Sequence, residues 1–210
     1  MSATLLEIIF FFVLITLPPL CRHKEELLQN TSIGDSLKVD NTNMLRGLAI
    51  LMVMLMHSSC DLGLRCFTPL GGIGVSLFLL LSGYGLAESF KRKGLTDFWK
   101  NKFSKIWIPY IIVLIVLTFI ARSDVNWWQL LFEAVGINSR FWFVSFLLYN
   151  YLLFYVCYKS TRIYEYRYFL MGVFALCIFL FDNRIRAEQA LSFMSGVFLS
   201  DYKNVITSSL

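Results

Sequence analysis

Two ionisable residues bracket an otherwise uncharged stretch: Arg46 and His57 enclose the ten residues from Gly47 to Met56. On an α-helix, eleven steps of about 100° make three turns plus about 20°, with a rise of about 16 Å. The two side chains therefore share one helical face, three turns apart. With Arg46 at the edge of a bilayer, His57 is carried about halfway across a hydrocarbon layer of about 30 Å, a depth at which an ionisable group marks a functional site by default. Taken singly, each has a plainer role, the arginine as a snorkelling anchor and the histidine as an interhelical hydrogen-bonding group. Two independent structural roles need no alignment, and the shared face is the reason to read the pair together. A near-neutral imidazole suits either a proton acceptor or a nucleophile, and the spacing leaves both open. Ser58 and Ser59 adjoin His57, but neighbouring helical residues point away from one another, so both are read as structural.

A second basic pair, Lys102 and Lys105, is three apart and shares a helical face, with Phe98 and Trp99 beside it to seat the segment at an interface. Such a pair is either an anchor to anionic lipid or a phosphate site, where lysine acts as a point charge. The five cysteines, Cys21, Cys60, Cys66, Cys157 and Cys177, show no paired spacing of the C-x-x-C kind, so no metal site is expected. Cys60 and Cys66 are close enough in sequence to bridge at an oxidising face and equally serve as small packing residues.

The elements that must position these groups are membrane helices. Of 210 residues, 57% are hydrophobic and 16% charged, against about 25% charged in an ordinary soluble domain, which excludes a water-soluble globule. Seven apolar segments follow one another, approximately Leu5–Leu20, Leu45–Cys60, Gly72–Phe90, Ile106–Ala121, Phe141–Tyr158, Tyr168–Phe181 and Ala187–Ser200. The expected fold is an all-α polytopic transmembrane bundle of about seven spans. The division is an extra N-terminal span with a cytoplasmic linker over 1–43 and a membrane domain over 44–210. The first segment has no basic residues before it and no small-residue cleavage site, so it reads as a retained span with the N-terminus outside. Alternating from there places 14 of the 19 basic residues on the cytoplasmic side, an orientation signal over loops this short. The charge of +5 is spent in clusters beside apolar runs, so nucleic acid is not an expected partner and the lipid bilayer is. Trp127 and Trp128 fall just past the fourth segment, where an interfacial aromatic belt would place them.

The arginine, ten residues and histidine on the first core helix resemble the membrane acyltransferase-3 family, which includes O-antigen and exopolysaccharide acetylases. Three further blocks match in order. Gly71-Gly72-Ile73-Gly74-Val75-Ser76-Leu77-Phe78-Leu79-Leu80-Leu81-Ser82-Gly83-Tyr84 is similar to the family's glycine-valine run with a double Phe and a Ser-Gly, with Leu79 at the second Phe. Lys102 to Tyr110 is similar to its basic motif ending in Pro and Tyr, with lysines for both arginines. Phe141-Trp142-Phe143 with Tyr151-Leu152-Leu153 resembles its later tryptophan helix, with Leu147 and Leu148 where the O-antigen branch tends to be acidic. The resemblance covers about Met44 to Ser200, roughly six of about ten core helices. It implies a multi-pass protein of the inner membrane, with no bound cofactor, acetyl-CoA as donor and a hydroxyl of a surface or exported carbohydrate as acceptor. It also implies His57 as the catalytic residue, with Arg46, Lys102, Lys105, Ser82, Gly83, Tyr84 and Trp142 at the substrates. A non-enzymatic subunit of polysaccharide export, or an inactive fragment of an acyltransferase, is the alternative.

The charge bias makes a direct prediction of topology. In a cysteine-free background, single cysteines in the Lys91–Lys105 stretch resist membrane-impermeant thiol reagents in intact cells, while cysteines near Asp61 or Asp124 are labelled. Labelling of the Lys91 stretch in sealed cells would reverse the orientation.

Overall fold

The computed structural model describes residues 39–61, 67–120, 127–135, 141–181 and 184–208. The expected span at 5–20 and Cys66 lie outside them. Among the described residues there are helices and no strands: α1 (Val39–Asp61), α2 (Thr68–Lys93), α3 (Phe98–Lys102), α4 (Ile108–Ile120), α5 (Trp127–Val135), α6 (Trp142–Lys159), α7 (Thr161–Glu165), α8 (Arg167–Phe181), α9 (Arg184–Ala187) and α10 (Ser192–Ser208). The fold is thus an all-α membrane bundle. Among the described residues three stretches are long and apolar enough to cross a bilayer, Asn41–Cys60, Thr68–Lys93 and Phe98–Ile120, and Arg167–Phe181 is a shorter apolar helix. Cys60, Cys157 and Cys177 are free thiols.

The third of these stretches is one rod with a defect. A π-helical turn, Phe103–Trp107, joins α3 to α4, and the Ile108 amide donates back five residues to the Phe103 carbonyl. Pro109 follows at once. Proline supplies no amide hydrogen to the ladder, and the widened turn accommodates the missing bond.

The bundle is organised around α2, which packs chiefly on α1 and α10. Small residues make both contacts. A Cβ at Gly74 would lie 2.6 Å from the Ala49 carbonyl of α1, and one at Gly71 would lie 2.6 Å from the Met56 side chain. On the other side a Cβ at Gly83 would collide with the Phe193 carbonyl, and one at Gly196 with the Leu80 carbonyl. The two backbones therefore touch directly, the arrangement that small residues permit where lipid offers no hydrophobic drive. Leu79, Phe146, Phe154, Phe193 and Val197 are fully enclosed where α2, α6 and α10 meet.

These contacts fix the register. Along α1 and α2, Arg46 lies against Leu81 and Gly85, Ala49 against Gly74 and Met56 against Gly71, so the two run antiparallel. The edge-to-face pairs Phe78–Phe143 and Phe90–Tyr158 show α6 running parallel to α2. The segment after α4 folds back on it: Trp107 Nε1–H donates to the Ala134 carbonyl at 3.0 Å and the Tyr110 hydroxyl to the Glu133 carbonyl at 2.5 Å. The end of α5 thus rests about 20 Å short of Ile120, measured along the rod, while Trp127 and Trp128 stay exposed.

Leu in place of Gly83 or Gly196 should separate α2 from α10 and lower stability by about 1–3 kcal/mol, the usual cost of overpacking. Gly172→Ala, at a site with open space around it, serves as the neutral control. Thermal unfolding in detergent measures all three, and equal melting of the Leu variants and the control would refute the contact.

Candidate functional site

A cavity of about 970 Å3 opens between α1, α2, the α3–α4 rod and α6. Six basic side chains, Arg46, Arg92, Lys93, Lys102, Lys105 and Lys203, line it together with one carboxylate, Glu88. The register spreads these groups along an axis. Arg92, Lys93 and Lys203 stand at the mouth, where the bundle carries its charges. Lys102 sits deeper, its ammonium 4.4 Å above the Tyr151 ring and 5.8 Å from that of Phe98. Lys102 feels the repulsion of Arg46, Lys105 and Lys93. From Lys93 to Phe78, the innermost residue that α2 contributes, is about 22 Å along the helix.

Arg46 is half-buried and tied at both ends of its fork. One nitrogen donates to the Leu81 carbonyl at 3.0 Å and the other to Asn43 Oδ1 at 2.8 Å. Gly85 makes room for it, since a Cβ there would lie 2.8 Å from the guanidinium. α1 begins at Val39, seven residues before Arg46, and the guanidinium lies level with Leu81 to Gly85, about 12–18 Å along α2 from Lys93. The Ser82 hydroxyl is buried and faces the Tyr151 phenol.

Of the residues singled out in the sequence, the cavity gathers Arg46, Ser82, Tyr84, Lys102 and Lys105. It does not gather Gly83, Trp142 or His57. Gly83 is turned to α10, where it permits the backbone contact described above. Trp142 is partly buried on the core, edge-on to Phe143. His57 is exposed and level with the first turn of α2, about 12 Å along α1 beyond the level of Phe78. Side chains on a helix lean toward its N-terminus, so the imidazole reaches back along α1 from that level.

Sequence reasoning missed Lys203, Glu88 and the ion network that holds them. Glu88 accepts from Lys203 Nζ at 2.8 Å and from the Ser200 hydroxyl at 2.7 Å, and Lys91 Nζ donates to the Ser200 carbonyl at 2.6 Å. Asp201 pairs with Arg167 at 2.9 Å and Lys91 at 3.3 Å and accepts from the Tyr168 hydroxyl at 2.6 Å. Arg167 lies over the Tyr164 and Tyr168 rings, 4.1 and 4.6 Å from their centroids. The network joins α2, α8 and α10 and sets Lys203 at the cavity mouth. Lys203 lies past the apolar stretch, and its hydrogen bond to Glu88 holds the ammonium above the ordinary lysine range. Glu133, on α5, is buried at 2% exposure. Metal-ligand clusters of His, Cys, Asp and Glu are absent among the described residues.

The acyltransferase-3 family model, described as an acyltransferase domain, matches residues 39–210. The acyltransferase MdmB of Streptomyces mycarofaciens is 42% identical over 50 residues, which is 23% of this chain and 13% of that protein's length. No solved structure matches the chain.

Asp201→Asn should cost about 1.5–3 kcal/mol of stability, the scale of hydrogen bonds to charged groups, because Arg167 and Lys91 lose a partner that is only 12% exposed. The readout is the melting temperature in detergent, and an unchanged value would show that the network contributes nothing.

Proposed function

The chain belongs to the acyltransferase-3 family, and on that footing we propose that it acts as a membrane O-acyltransferase, moving an acetyl group from acetyl-CoA to a hydroxyl of a cell-surface or exported carbohydrate. The observation that carries the reading is the cavity with six cations against one carboxylate. So many like charges around one space, several held between apolar helices, are costly to assemble without an anion to neutralise them. Coenzyme A brings several phosphates and a long pantetheine arm. Lys102 and Lys105, with Arg46 beside them, would hold phosphate oxygens, the arginine through the guanidinium N–H groups not given to Leu81 and Asn43 and the lysines as point charges. The topology read from the charge bias would present that mouth to the cytosol, where the donor is made.

His57 stands toward the opposite end of the bundle, where an acceptor from the other side would arrive. It would take the proton from the acceptor hydroxyl as that oxygen attacks the thioester carbonyl. The C–S bond then breaks and the thiolate of coenzyme A leaves. Alternatively the imidazole itself takes the acyl group and passes it to the hydroxyl. Both routes need Arg46 and His57 on one face of α1, as their spacing provides.

Two substitutions test this. Arg46→Ala should weaken acetyl-CoA binding by about 1.5–3 kcal/mol, and Arg46→Lys by less, in calorimetry on detergent-purified protein. His57→Gln keeps a hydrogen-bonding side chain but cannot exchange a proton near neutral pH. It should lower glycan acetylation in cells by roughly 10²–10⁴-fold while sparing donor binding. Parent-level acetylation by His57→Gln would refute the catalytic role, and unchanged donor affinity at Arg46→Ala would leave Arg46 an anchor.

A further inference from the structure

The cavity changes character along its length. Beyond the level of Arg46 and Ser82 the charges stop, and the walls become Phe78, Tyr110, Val113, Phe141, Phe143 and Leu147. Tyr110 contributes its ring here, since its hydroxyl is spent on the Glu133 carbonyl. Phe78 and Phe143 meet edge to face, with centroids 5.5 Å apart, and Tyr110 and Phe141 do the same at 6.0 Å. These pairs come from three different elements, α2, α4 and α6. They narrow and line the far end of the space with apolar rings. A cationic throat leading to an aromatic end matches a ligand that is anionic at one end and apolar at the other.

Resting on the donor reading above, we propose that this aromatic end is the acyl pocket and that the Phe78–Phe143 pair sets the length of acyl chain the protein accepts. The argument is one of continuity. A thioester whose phosphates lie among Lys102, Lys105 and the mouth cations carries its acyl group up the same cavity, past Arg46, into the only part of the lining without charge. There each methylene added to the acyl chain gains affinity by about fourfold until it meets the ring pair, after which further length has no room. Phe78 and Phe143 meet edge to face and are each packed against the core, so the position of the pair sets the cutoff. Removing one ring opens space of roughly side-chain size and moves the cutoff outward.

The test is a ladder of coenzyme A, acetyl-, butyryl-, hexanoyl- and octanoyl-CoA, titrated against the full chain in nanodiscs. The parent protein should gain affinity over the first steps and then lose it. Phe143→Ala and Phe78→Ala should shift that turning point to longer chains, favouring octanoyl- over acetyl-CoA by tenfold or more relative to the parent, with coenzyme A itself bound as before. Phe143→Leu, which keeps an apolar filler and guards against misfolding, should shift it less. Ladders that stay parallel across all four proteins while coenzyme A binds would overturn the acyl pocket and leave the donor site standing. No binding of any coenzyme A compound by the parent protein would overturn both.

Discussion

The constraint on which the rest depends is the absence of a side chain at two positions, Gly83 on α2 and Gly196 on α10. With no Cβ at either, the two helices touch backbone to backbone, and dispersion across that contact replaces the hydrophobic drive that lipid cannot provide. Everything at the charged end follows from it. With α10 this close, Ser200 and Lys203 reach Glu88, and Lys91 reaches Asp201, the carboxylate that also pairs with Arg167 of α8. The opposite flank of α2 uses the same device at Gly71 and Gly74 to draw in α1. One helix thus fixes both the arginine on its left and the lysine on its right around a single cavity.

That cavity holds an electrostatic imbalance in place. Glu88 answers Lys203, but Lys102 lies against aromatic rings and in the repulsion of three other cations. The ring faces return part of the lost hydration through their quadrupoles. The remainder is supplied by the rigidity of α2 and its neighbours, since a flexible site would let the lysines swing out to water. A bound polyanion relieves the same repulsion, so the energy invested in folding the site is recovered as affinity.

Much of this was legible in the sequence because hydropathy and charge act over whole segments. The all-α membrane class was readable from composition and the apolar runs, whereas the basic motif ending in Pro109 and Tyr110 came from resemblance, and its place in one rod from Phe98 to Ile120 was not read. Gly83 looks like part of a substrate motif and is a packing surface against α10. The start of α1 was less legible, because apolar residues mark a span's hydrocarbon part, whereas the helix extends back from Leu45 to Val39 through polar residues. The Glu88–Lys203 and Arg167–Asp201 pairs were invisible for a different reason. They join residues 115 and 34 positions apart, and nothing local to either partner encodes the other. The aromatic end was equally hidden, since 17% aromatic content scatters rings everywhere and only the register selects four of them.

The placement of His57 outside the cavity has a physical logic on the acyl-transfer reading. A base that shared a wet site with a thioester would activate water as readily as a sugar hydroxyl, and hydrolysis would compete with transfer. On that reading the aromatic end, which lies between the level of Arg46 and that of His57, would shield the thioester from water. The helix sets the separation: eleven residues put His57 about 16 Å from Arg46, and the backward lean of the side chain recovers about one turn of it. The remaining gap is one that an acceptor would fill. Base and thioester would then be brought into line by the substrate that is to be acylated, so the same geometry that keeps the two apart without an acceptor would join them with one.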